Sequence, residues 1–94
     1  PPDPPMHDWH HAEELAERAE RLLSLGRGNE AERALREAIE IDPGRGHWHA
    51  TLAIVLETLG RIEEARAAYE AVLSRSSFCA PIVIADVRAR LETL

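Results

Sequence analysis

Along most of the chain, apolar residues recur at spacings of three and four, the mark of helices buried along one stripe. Leu15, Ala19, Leu22 and Leu23 form the first stripe. Ala31, Ala34, Leu35, Ala38 and Ile39 form the second, and Ala65, Ala68, Tyr69, Val72 and Leu73 a later one. Glycine and proline punctuate the pattern and set the breaks. The first helix is predicted to start near Asp8, as its N-cap, and to stop at Gly26 and Gly28. The second runs from about Asn29 to Pro43-Gly44. The third runs from about Gly46 to Leu59, ended by Gly60, and the fourth from about Ile62 to Arg75. Ser76-Ser77 reads as a break. A fifth helix is predicted from Pro81 to near the last residue, with Pro81 in the first turn, where a missing N–H costs nothing. No β-branched alternating segment bounded by turns is present; Ile82-Val83-Ile84 leads straight into a helical pattern. The expected fold class is all-α.

The pattern also repeats. Shifted by 34 residues, the chain matches itself at Ala16/Ala50, Ala19/Ala53, Leu22/Leu56, Leu25/Leu59, Gly26/Gly60, Arg27/Arg61, Glu30/Glu64, Ala31/Ala65 and Ala34/Ala68, nine identities over nineteen positions. Chance would supply about one in twenty, so a fixed period of this length marks a repeat architecture. The matched residues have the right shapes for a helical hairpin. Gly26 and Gly60 fall in the turn, where a positive φ is required. Ala19 with Ala31, and Ala53 with Ala65, are small pairs that let two helices approach closely.

Leu52-Ala53, Leu56, Gly60 to Ala65 and Tyr69 in one copy, and Ala19, Leu22, Gly26 to Ala31, Leu35 and Asp42-Pro43 in the other, resemble the tetratricopeptide repeat (TPR) pattern. The stretch Ala31 to Pro43 is similar to that family's second helix. The resemblance covers about residues 12–77. At the family's tryptophan position stand Leu15 and His49, with Trp48 one residue early, and Ser77 stands where a second proline is the rule. The resemblance implies an α-solenoid of antiparallel hairpins wound as a right-handed superhelix. It divides the chain into a Pro-rich tail (1–7) and a single domain (8–94), with repeats at about 12–45 and 46–79 and a C-terminal helix at 80–94. The tail, beginning Pro1-Pro2-Asp3-Pro4-Pro5, reads as a linker, as in a fragment of a longer chain.

The resemblance further implies a concave groove, lined by first helices, that holds a protein or peptide partner. The candidate groove residues are Glu13, Ala16, Glu17, Glu20, His47, Ala50, Thr51, Ile54, Glu57, Ile84 and Arg88. The best-known subtype grips a C-terminal carboxylate with Lys, Asn and Arg. The matching positions here carry Ala16, Glu20, Ala50, Ile54, Ile84 and Arg88, from which no such clamp can be built. The groove is expected to be apolar in its middle and acidic in its first repeat, suited to a segment with apolar anchors and some basic residues. The bland reading is that these are solvated helix positions without a ligand.

Charge narrows the partners. Seventeen acids against eleven bases give a net charge of −6, which disfavours a nucleic-acid backbone. All eleven bases are arginine, as in a GC-rich coding sequence, and a bacterial cytoplasmic protein is expected. No run of about 18 apolar residues is present to cross a membrane. Chemistry-bearing motifs are sparse. There is no phosphate-binding glycine loop, no nucleophile elbow and no HExxH, so neither catalysis nor a cofactor is expected. Glu13-Glu14 and Glu63-Glu64 read as solvated faces. His7 and His11 share a helix face at i, i+4, a metal-compatible spacing beside His10, whereas His47 and His49 point apart. The bland alternative is a polar helix start with Trp9 as a hydrophobic staple. The single cysteine, Cys79, precludes an internal disulfide and is expected to be a buried thiol. Trp48 is expected in the core rather than in the groove. Ile82, Val83, Ile84, Val87, Leu91 and Leu94 cover more than one face of the last helix, whereas a terminal capping helix usually has a polar outer face. Further repeats, or self-association through this helix into a homodimer or larger assembly, would account for the surplus.

Overall fold

A computed structural model describes residues 5–74 and 81–94. The Ser76-Ser77 break and Cys79 lie outside the described residues, as do the side chains of His7 and Trp9. Five helices follow in order: α1 (Pro5–Ser24), α2 (Gly28–Ile41), α3 (Gly46–Thr58), α4 (Ile62–Ser74) and α5 (Pro81–Thr93). The described residues contain no strand. α1 pairs with α2 and α3 with α4 as two hairpins; α2 packs on α3, and α5 on α4. Among the described residues, the boundary that moves is the first. α1 begins at Pro5, ahead of the predicted N-cap Asp8, so part of the predicted tail is helical. Proline's fixed φ suits a helix's first turn, so Pro5 starts the helix where it stands.

The two hairpin turns are built alike. Gly26 and Gly60 have φ of +79° and +81°. The Arg27 amide reaches back to the Leu22 carbonyl at 2.8 Å and the Gly26 amide to Leu23 at 3.0 Å. Arg61 and Gly60 repeat this onto Leu56 (2.9 Å) and Glu57 (3.0 Å). These crossed bonds satisfy carbonyls that the helix end would otherwise leave unpaired, and they require a left-handed residue at the glycine. Each arginine carbonyl then accepts from the next helix, from Ala31 (3.0 Å) and Ala65 (2.9 Å).

The expected close contacts are present. Ala19, Ala31, Ala53 and Ala65 are all 0% exposed, and Leu35 and Tyr69 fill the bulky positions in their respective hairpins. A single core runs from Ala12 to Val87. Trp48 belongs to it, 4% exposed, with the Arg45 guanidinium 4.5 Å above its ring.

Two contacts lock the repeats in register. Gly28 lacks a side chain where Leu59 arrives: a Cβ there would stand 2.8 Å from Leu59 Cδ2. Arg61 donates to Glu32 Oε1 at 2.7 Å, across the repeat boundary, and also to Glu64. Glu32 in turn accepts from Arg36, at 2.9 Å. Both carboxylates hold the Arg61 guanidinium well above its ordinary pKa, Glu64 most, and Arg61 holds Glu64 below the usual carboxylate value.

Candidate functional site

The first helices of the repeats lie side by side, α1 touching α3 and α3 touching α5. Their open side carries most of the predicted groove residues. Glu13 approaches Arg45, just ahead of α3, at 3.6 Å, and Glu20 approaches His47, in its first turn, at 3.6 Å. Glu17 is exposed and lies around the helix with Glu14, Arg18 and Arg21. Ala16, Ala50 and Thr51 are buried, at 3%, 5% and 7% exposure, so they form the floor and not the walls. Thr51 satisfies its hydroxyl on the His47 carbonyl at 3.0 Å.

Between α3 and α5 the floor opens into a cleft of ≈ 360 Å³, lined by His47, Ala50, Thr51, Ile54, Ile82, Val83 and Asp86. Four of these were predicted and three were not. The 34-residue shift carries Ala50 to Ile84 and Ile54 to Arg88, yet Ile84 is half-buried and Arg88 exposed, and neither lines the cleft. α5 has no partner helix following it among the described residues. It turns its stripe Val83, Val87 and Leu91 inward, with Val87 only 1% exposed. Adjacent helical positions differ by 100°, so that turn brings Asp86 and Ile82 to the cleft in place of Arg88. The stripe itself, at i, i+4 and i+8, is the sequence signal for this orientation.

Glu57 has a different role from a groove acid. Its Oε1 accepts from the buried Tyr69 hydroxyl at 2.8 Å and lies 3.8 Å from Arg90, which is bonded to Asp86 at 3.1 Å. The network ties α3, α4 and α5 together. Burial, reinforced by the bond to Glu57, pushes the Tyr69 phenol far above its ordinary pKa. Asp86 raises that of Arg90.

Residues 22–81 match the family model described as tetratricopeptide repeat. The chain belongs to the tetratricopeptide repeat family. Its match begins in the last turns of α1 and extends through both glycine turns to the start of α5. No curated protein and no solved structure matches. TPR units generally mediate protein–protein interaction and are generally non-catalytic scaffolds. In this TPR chain His11 lies beside Glu37, at 3.5 Å, and His49 donates to the Pro43 carbonyl at 3.0 Å. Among the described residues no three His, Cys, Asp or Glu side chains converge as metal ligands, and no helix is long and apolar enough to cross a membrane.

Proposed function

We propose that this TPR chain is a non-catalytic interaction module that holds a partner peptide or helix along its concave side, anchored by an apolar side chain in the cleft between α3 and α5. The observation that carries this reading is the cleft itself. Ile54, Ile82 and Val83 supply apolar walls, and Ile82 is 78% exposed. Apolar surface held open beside a few polar groups is the usual make-up of a segment-binding site. On the same side Glu13, Glu20 and Asp86 outnumber Arg45 and Arg90, which favours basic residues flanking the anchor.

A peptide-display selection on the wild-type chain, followed by fluorescence polarisation, tests the proposal. Ile54→Glu and Ile82→Glu should each weaken the selected peptides about tenfold or more, equivalent to about 1.4 kcal/mol. Equal binding by both variants would refute the site. The exposure of Ile82 also favours a second reading, self-association through α5. In that case sedimentation would show a mass that rises with concentration and returns to the monomer with Ile82→Glu.

A further inference from the structure

The outer face of the first repeat, on the side away from α3, has the same layout as the face by which the second repeat docks on the first. In the second repeat, Leu59 sits over Gly28 and Arg61 reaches Glu32, both on α2, while Leu52 and His49 line a seam with Ile39. The 34-residue shift puts Leu25 where Leu59 stands and Arg27 where Arg61 stands. Leu25 is 70% exposed, and Arg27 repeats the local half of the staple, reaching Glu30 at 3.3 Å. Alongside lies an open groove of ≈ 300 Å³, its floor formed by Leu15, Leu22 and Ala34 and its rim by His11, Arg18, Glu30, Arg33 and Glu37.

We infer that this face docks an acidic amphipathic helix of another protein, bearing a small residue over Leu25 and a carboxylate four residues later opposite Arg27. The internal contact specifies the occupant. A small residue at the first position leaves Leu25 in place, as Gly28 does Leu59, whereas a bulky one would have to push it aside, and the glutamate answers the arginine. Five of the groove's eight lining positions differ from their counterparts 34 residues on; with Glu37 facing His11 and Glu30 facing Arg27, the two arginines among the five set the charge of the rest of the helix. Arg18 replaces Leu52 and Arg33 replaces Ala67, so a fully apolar helix face is rejected and an acidic one attracted. A second copy of this chain stacked in the same register does not fit. At the positions of Gly28 and Glu32 its second repeat presents Ile62 and Arg66, which would fill the socket and oppose Arg27 with a like charge.

The test uses the chain's own template as probe. A synthetic peptide of the α2 sequence Gly28–Ile41, held helical by a lactam on its solvent face, is titrated into the full chain and followed by amide NMR shifts. The lactam removes the ordering cost that keeps so short a helix unfolded in water. Shifts should cluster at Leu22, Leu25 and Arg27 and leave Ile54 and Ile82 unmoved. Leu25→Glu and Arg27→Glu in the protein, and glycine-to-leucine at the first position of the peptide, should each weaken binding about tenfold. Leu25 and Arg27 are exposed, and circular dichroism checks that their variants fold. Absence of shifts up to about 1 mM peptide, shifts centred on the α3–α5 cleft, or undiminished binding by Leu25→Glu would overturn the inference.

Discussion

Tyr69→Phe isolates one hydrogen bond. Tyr69 is the chain's only tyrosine and is 0% exposed, and its hydroxyl donates to Glu57 at 2.8 Å. Phenylalanine fills the same space, so no cavity forms and only the bond is lost. A hydrogen bond to a charged group contributes about 1.5–3 kcal/mol. Glu57 keeps its neighbour Arg90 at 3.8 Å, and its side chain is 29% exposed, so water recovers part of the loss. The expected destabilisation at pH 7 is about 1–2 kcal/mol, a fall in Tm of about 5–15 °C for a domain of this size. Urea and thermal melts by circular dichroism measure it. The pH dependence adds a second, independent signature. The folded phenol holds its proton more tightly than the unfolded one, whose value is 10.0. Stability from this bond is therefore complete below pH 10 and is lost as pH rises above it, at up to about 1.4 kcal/mol per pH unit. The wild-type advantage over Tyr69→Phe should shrink in that window. The chain has no lysine, so few other groups titrate there. Absorbance at 295 nm reads the phenolate directly. Equal stability at pH 7, or a phenolate midpoint near 10 in the folded protein, would refute the reasoning.

Leu35→Ala should cost about 2–5 kcal/mol, because a fully buried side chain leaves a cavity between α1 and α2; denaturant melts would show it. Gly60→Ala should cost about 1 kcal/mol, since φ is +81° and only the backbone conformation, not space, opposes the methyl group. Arg61→Ala should lower Tm in dilute buffer by a margin that narrows in 1 M salt, because the guanidinium's partners are partly exposed and screened.

Apart from the start of α1, the five helices, the two glycine turns and the period that joins the hairpins were legible from residue type and spacing. Gly26 and Gly60 are where a left-handed turn residue must stand, and Ala19, Ala31, Ala53 and Ala65 are where two backbones must meet. These are local requirements, set by sterics within a few residues or within one hairpin. The alanine and threonine floor of the open side was legible only in part. The repeat resemblance put Ala16, Ala50 and Thr51 on that side, but how deeply they sink depends on how closely α1, α3 and α5 approach.

Tertiary packing alone decided the rest. The repeat resemblance put Glu57 in the groove, yet Tyr69 and Arg90 claim its carboxylate. That pairing spans three helices and leaves no trace in local spacing. The cleft likewise depends on the rotation of α5 about its own axis. A repeat period carries residues forward only while each helix keeps the same neighbours. In α5 the burial of Val87 sets the rotation, and Ile82, Val83 and Asp86 meet α3 where the period placed Ile84 and Arg88. The sequence by itself determined which faces are apolar and where the chain must turn, because those follow from side-chain chemistry and backbone sterics. Which apolar face meets which neighbour is settled by the balance of contacts across the whole array.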